Sequence, residues 1–114
     1  MEQSRKKELI AAYKQRTPTG GVYAIACPPA GKVLIKGDFD LQGAENRFRF
    51  AVSTDSCVVP ALKEDWKQFG GKSFEFSILE EIKQAEEQSN LDFRRDIQTL
   101  EELWKEKYSP GQLY

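Results

Sequence analysis

The chain has 114 residues, 39% of them apolar and 31% charged, with a net charge of -1 and no histidine. That length has room for one domain of the usual ~100–150 residues, and a mean hydropathy of -0.61 is that of an ordinary soluble globular protein. The missing imidazole excludes Ser-His-Asp and Cys-His nucleophile pairs, every His-containing zinc site and any histidine base.

Residues 2–16 (EQSRKKELIAAYKQR) have high helix propensity, with Leu9, Ile10 and Tyr13 as a narrow apolar stripe. Thr17-Pro18-Thr19-Gly20-Gly21 ends that helix. Val22 to Cys27 is rich in strand formers, Pro28-Pro29-Ala30-Gly31 is a turn, and Lys32 to Lys36 is a second strand. So short a link makes the two strands an antiparallel pair. Asp40 or Gly43 caps a helix over 41–52, with Ala44, Phe48 and Val52 on one face. A further helix over 60–69 has Pro60 in its first turn and ends at Gly70-Gly71; its face Ala61, Leu62, Trp66 and Phe69 belongs to the core. Residues 73–82 alternate Phe74, Phe76 and Ile78 with polar neighbours, which predicts a half-buried strand. A polar acidic loop over 84–90 leads into a last helix over 91–108, with Phe93, Ile97, Leu100, Trp104 and Tyr108 on its buried stripe. This order predicts an α+β fold, a small antiparallel three-stranded sheet flanked by helices, with an additional N-terminal helix.

No stretch approaches the ~18 consecutive apolar residues of a membrane span, and the charged N-terminus lacks the apolar run of a secretion signal. An intracellular, cytoplasmic protein with no membrane role is the expectation. Cys27 and Cys57 then read as small core residues rather than a disulfide. Charge is unevenly spread: residues 1–50 carry nine Lys/Arg against five Asp/Glu, and residues 51–114 carry eight against thirteen. Any nucleic-acid contact must therefore come from a local basic face in the first half, drawn from Lys32, Lys36, Arg47, Arg49 and the helical Arg5, Lys6, Lys7, Lys14 and Arg16. The run from Glu80-Glu81 to Glu86-Glu87 is a solvated acidic face that repels DNA.

Three patches in this order carry a resemblance. Gly21-Val22-Tyr23 is followed in the paired strand by Leu34-Ile35-Lys36-Gly37; residues 62–70 run through a glycine into strand 74–80; and Leu100-Glu101-Glu102-Leu103-Trp104 closes the set. Together they resemble the GIY-YIG nuclease superfamily over 20–109, leaving 1–19 as N-terminal helix and linker and 110–114 as a tail. The resemblance implies DNA phosphodiester hydrolysis, with a tyrosine that acts as or positions the base. A second tyrosine, an arginine and a histidine line the cleft, and a glutamate holds one divalent metal. An oxygen-held metal polarises the phosphoryl group and an arginine forks onto its oxygens.

Position by position the match is incomplete. Tyr23 stands at the first tyrosine and Glu101 at the metal-binding glutamate, with Glu102 beside it. Leu34 takes the second tyrosine's place, Lys36 the YIG glycine's, Ala44 the arginine's and Phe48 the histidine's; Cys57 falls where some homing-type members have another histidine. Arg47, one helical turn after Ala44, either stands in for the missing arginine or is a solvated surface charge. Tyr23 is either a vestigial catalytic position or a strand core residue, and Glu101 either a ligand for Mg²⁺ or Mn²⁺ or surface. Trp66 and Trp104 are core residues or stack on bases.

The expectation is a GIY-YIG-like domain with a largely eroded centre, serving as a DNA-binding or interaction module with little or no nuclease activity. Its alternatives are an active divalent-metal-dependent endonuclease using Tyr23, Arg47 and Glu101, and a module that binds a protein partner or itself.

Overall fold

The unbroken apolar run after Gly20 becomes the central strand, β1 (Gly20–Cys27), because both of its faces are covered. The computed structural model describes residues 19–57 and 59–114. The helix expected over 2–16, with its five basic residues, lies outside them. β1 pairs antiparallel with β2 (Lys32–Asp38) on one side and β3 (Glu75–Ile82) on the other, giving the order β2-β1-β3. The hairpin between β1 and β2 closes through a 3-10 turn at Pro28–Ala30.

Alternation along β1 sends Tyr23, Ile25 and Cys27 to one face. There they pack with Leu41, Ala44 and Ala51 of α1 (Leu41–Thr54), and with Leu62 and Trp66 at α2 (Lys63–Phe69). Val22 and Ala24 face the opposite side and, with Val33 and Ile35 of β2, pack against Leu100 and Trp104 of α3 (Asn90–Lys105). A β1 residue is thus core whichever way it points, which is why the strand reads as continuous rather than alternating apolar sequence.

Two glycines make this packing possible. Gly21 has φ 148, at the register shift between β1 and β3, and a Cβ there would run into the Glu80 carbonyl. Gly37 lets α3 lie directly on β2, since a Cβ would occupy the space of the Ile97 side chain.

Several element ends differ from expectation, each for a local reason. Asp40 is the cap of α1, its carboxylate accepting the Gly43 N–H at 3.0 Å, and the helix runs on to Thr54, where Asp55 turns left-handed at φ 49. The helix expected over 60–69 begins with a 3-10 turn at Pro60–Leu62. β3 starts at Glu75 because Gly71–Ser73 form another such turn, which seats Phe74 on Trp66 with ring centroids 5.1 Å apart. Ser89 caps α3 by accepting the Asp92 N–H at 3.1 Å. The helix stops short of Tyr108 because Lys107 and Tyr108 donate to Trp104 and Lys105 in tighter i→i+3 turns.

Residues 110–114 dock on the domain. Leu113 makes a parallel bridge to Val33 at the outer edge of β2, and the Tyr114 hydroxyl donates to Asp65 at 2.6 Å. No helix among the described residues is long and apolar enough to cross a membrane.

Candidate active site

The site expectations converge where β2 leaves the sheet. Tyr23 projects from β1 toward α1, with Lys36 as its cross-strand neighbour on β2. Its ring stacks on Phe76 at 5.1 Å, and Phe76 stacks in turn on Phe48 at 5.7 Å. Burial raises the Tyr23 phenol above its ordinary pKa; the carboxylates of Asp38 and Glu101 push the same way, and Arg47 opposes them. A base works best with a pKa near the operating pH, and this shift moves the phenol away from it.

Arg47 does reach this neighbourhood. It lines the same small cavity as Tyr23, Ala44, Phe48, Cys57 and Trp66, of about 80 Å³. Its guanidinium is engaged, however, with Nη2 2.8 Å from Asp38 Oδ2. Apart from Arg47, the side chains that line this cavity with Tyr23 are largely apolar. Leu34 and Phe48 pack against the core, and Ala44 is itself core at 5% exposure. Cys57 Sγ donates to the Val59 carbonyl at 3.2 Å, and neither cysteine is in a disulfide.

Glu101 opens on a different hollow. An open cleft of about 400 Å³ lies between the end of β2 and α3, lined by Gly37, Asp38, Phe39, Arg94, Gln98 and Glu101 among others. Glu101 Oε1 accepts the Gly37 N–H at 2.7 Å, which ties α3 to β2, and Oε2 meets Lys105 Nζ at 3.2 Å. Asp38 is equally occupied, since its second oxygen accepts the Asp40 N–H at 2.9 Å. The Asp38–Arg47 ion pair joins the two hollows: Arg47 lines one and Asp38 the other. Tyr23 and Arg47 thus share one cavity, and Glu101, their electrostatic neighbour, opens on the other.

The carboxylates a divalent metal would meet here are already engaged: Glu101 accepts from the Gly37 N–H at one oxygen and from the exposed Lys105 ammonium at the other, and Asp38 is paired with Arg47. Among the described residues, no group of three His, Cys, Asp or Glu side chains is placed to hold a metal ion.

The basic face also differs from expectation. Lys32 lies over the Tyr114 ring at 5.7 Å, by the docked C-terminal residues, and Arg49 is held by Glu45 at 2.6 Å. Two cations from the acidic half, Arg94 and Lys105, join Lys36 and Arg47 around the end of β2 instead. Sequence reasoning missed Asp38, Phe39, Arg94 and Gln98. Asp38 and Phe39 directly follow Gly37 of the resembling motif, a signal that was there to be read, whereas Arg94 and Gln98 arrive from a distant helix. Trp66 is core, with its Nε1–H on Asp55 at 3.1 Å. Trp104 is half-buried, donating to Glu80 at 3.2 Å under the Lys107 ammonium, so Glu80 is not simply a solvated acid.

Two solved structures resemble the chain. One is described as the catalytic domain of homing endonuclease I-TevI; it is 25% identical, with a TM-score of 0.56, and the match covers 83% of this chain and 95% of that one. The other, a mutant described as the catalytic domain of intron endonuclease I-TevI, is 21% identical, with a TM-score of 0.57, covering 78% and 82% respectively. No family model and no curated protein sequence matches the chain. The fold is GIY-YIG-like, a small antiparallel three-stranded sheet with flanking helices.

Proposed function

We infer that this chain is a nuclease-fold domain whose catalytic centre has largely been replaced by packing, and that it binds DNA weakly through its backbone with little or no hydrolysis. The observation that carries this reading is the apolar surround of Tyr23: Phe76 and Phe48 stack beside it, while Leu34 and the buried Ala44 supply no functional group. An acid–base group is worth about 10²–10⁴ in rate and an electrostatic stabiliser about 10²–10³. Loss of the second tyrosine, the arginine and the histidine costs about 10⁵ or more, allowing for non-additivity. Glu101 is already tied to the Gly37 backbone and to Lys105, so a Mg²⁺ or Mn²⁺ ion would have to compete with the lysine for it.

What supports DNA as the partner is the group of cations around the end of β2, together with the likeness to homing and intron endonuclease domains. With Asp38 and Glu101 already neutralised, Lys36 and Arg94 are left to meet phosphate oxygens. Each phosphate neutralised steepens the dependence of log affinity on log salt by about 0.9 on duplex DNA.

The test is supercoiled plasmid incubated with the pure chain and Mg²⁺ or Mn²⁺, beside duplex mobility shifts over a salt series. No nicking with a salt-weakened shift is the expected result. Nicking that disappears in Tyr23→Phe and Glu101→Ala would establish instead an active metal-dependent endonuclease, a reading favoured by Arg47 lying against the Tyr23 cavity. Neither nicking nor a shift would leave a protein-binding or self-associating module.

A further inference from the structure

The cleft beside Glu101 has a feature that phosphate binding does not use. Phe39, between β2 and α1, is 49% exposed, and its ring lines the cleft instead of entering the core. The Arg94 guanidinium from α3 lies over that ring, its Cζ 5.2 Å from the centroid. Arg94 takes part in no ion pair among the described residues. The guanidinium thus lies over an aromatic ring and keeps its N–H donors available to a ligand.

We propose that Phe39 and Arg94 form a stacking platform for one unpaired nucleotide of a DNA strand. This deepens, and rests on, the DNA-binding reading above. Three observations support it. A volume of about 400 Å³ lies in the range of small-ligand sites, ~300–1,000 Å³. A base inside a duplex shows only its edges, so an aromatic ring with a guanidinium lying over it fits a base that has left the stack. The two acids of the cleft would repel a nucleotide if free, but Asp38 is paired with Arg47 at 2.8 Å, and Glu101 is bonded to Gly37 and Lys105. What remains to meet the ligand is an aromatic face, the donors of Arg94 and the side-chain amide of Gln98. The base stacks on the Phe39–Arg94 pair and the adjoining phosphate takes the guanidinium edge.

The experiment measures fluorescence anisotropy of a labelled oligothymidine, and of a blunt duplex of equal length, with the full chain across a salt series. Free thymidine monophosphate is a third arm, which separates a single nucleotide from a strand. Phe39→Ala is expected to weaken oligothymidine binding roughly 5- to 150-fold, the loss that removal of one stacking ring produces, with its salt slope and duplex affinity unchanged. Phe39→Tyr keeps the aromatic face and is expected to keep the affinity. Arg94→Gln is expected to weaken oligothymidine and to lower its salt slope by about 0.7, one single-strand phosphate. Melting curves check that each variant is folded. The proposal is overturned if Phe39→Ala leaves oligothymidine binding intact, or if folded Phe39→Ala weakens strand and duplex alike. It is also overturned if the free nucleotide binds as tightly as the strand. In those cases salt-sensitive duplex binding by the unaltered chain would keep the DNA-binding reading. No binding of either DNA by the unaltered chain would remove that reading and this one with it.

Discussion

On the α1 side of β1, largely apolar side chains and Arg47 close in on Tyr23, and the space left over is a cavity of about 80 Å³. Where β2 ends under α3, charged side chains persist around a hollow of about 400 Å³, but the acids among them are bonded to the protein itself. The first region is built of packing, and the second holds charge that is turned inward. A change in the first region should therefore be read in stability, and a change in the second in binding, with stability altered only where a tie to the backbone is cut.

The largest effect expected is that of Ala44→Arg. Ala44 lines the small cavity beside Tyr23, but it is 5% exposed and the space there is about 80 Å³, so an arginine at this position buries its guanidinium without a partner and costs about 3–5 kcal/mol. Urea unfolding reads the loss; a variant as stable as the parent would mean that the α1 side is still a cleft.

Glu101→Ala comes next. Catalytic residues are commonly held at some cost to stability, so removing one seldom destabilises the fold. Glu101 instead accepts the Gly37 N–H at 2.7 Å, and a hydrogen bond to a charged group contributes about 1.5–3 kcal/mol. A loss of that size in urea unfolding would mark Glu101 as a tie between α3 and β2. Unchanged stability would make it a functional carboxylate.

This division explains what was legible in the sequence. Strand and helix periodicities gave three strands and the last three helices, because β1, α1 and α3 bury the faces that their apolar spacing requires. The apolar residues at Leu34, Ala44 and Phe48 were equally visible, since residue identity is a property of one position. What stayed hidden depends on which elements meet. Arg94 over Phe39, Lys105 on Glu101 and Glu101 on a backbone amide are contacts whose partners no local pattern names. Ile78 shows the same limit. Its alternation assigned it to the buried face, yet on the edge strand β3 it is 41% exposed.

Alkaline pH separates the regions by direction. Burial raises the Tyr23 phenol, aided by Asp38 and Glu101 against Arg47, while burial and the hydrogen bond to Asp65 raise that of Tyr114. The unfolded chain releases both protons near the ordinary phenol value of about 10, and the folded chain holds them longer. Their stabilising contribution is therefore complete below about pH 10 and is lost as pH rises through the folded values. Phenolate absorbance should show Tyr23 and Tyr114 ionising late. Tyr23→Phe should remove one of these and soften the alkaline fall in melting temperature; Tyr23 titrating like a free phenol would mean that its surround is open to water.

Lys105→Ala is the smallest change and bears on whether the second region is as closed to metal as the first is to phosphate. Lys105 is 44% exposed and pairs with Glu101 one helical turn away, so the pair contributes about 0.3–0.5 kcal/mol and the melting temperature should hardly move. The substitution does free Glu101 Oε2. A hydrated divalent ion held by one carboxylate binds weakly, and Asp38 stays committed to Arg47, so added Mn²⁺ should raise the melting temperature of neither protein. A Mn²⁺-dependent rise in the variant alone would mean that one lysine closes an otherwise intact metal seat. The contrast between the regions would then narrow to a single ion pair.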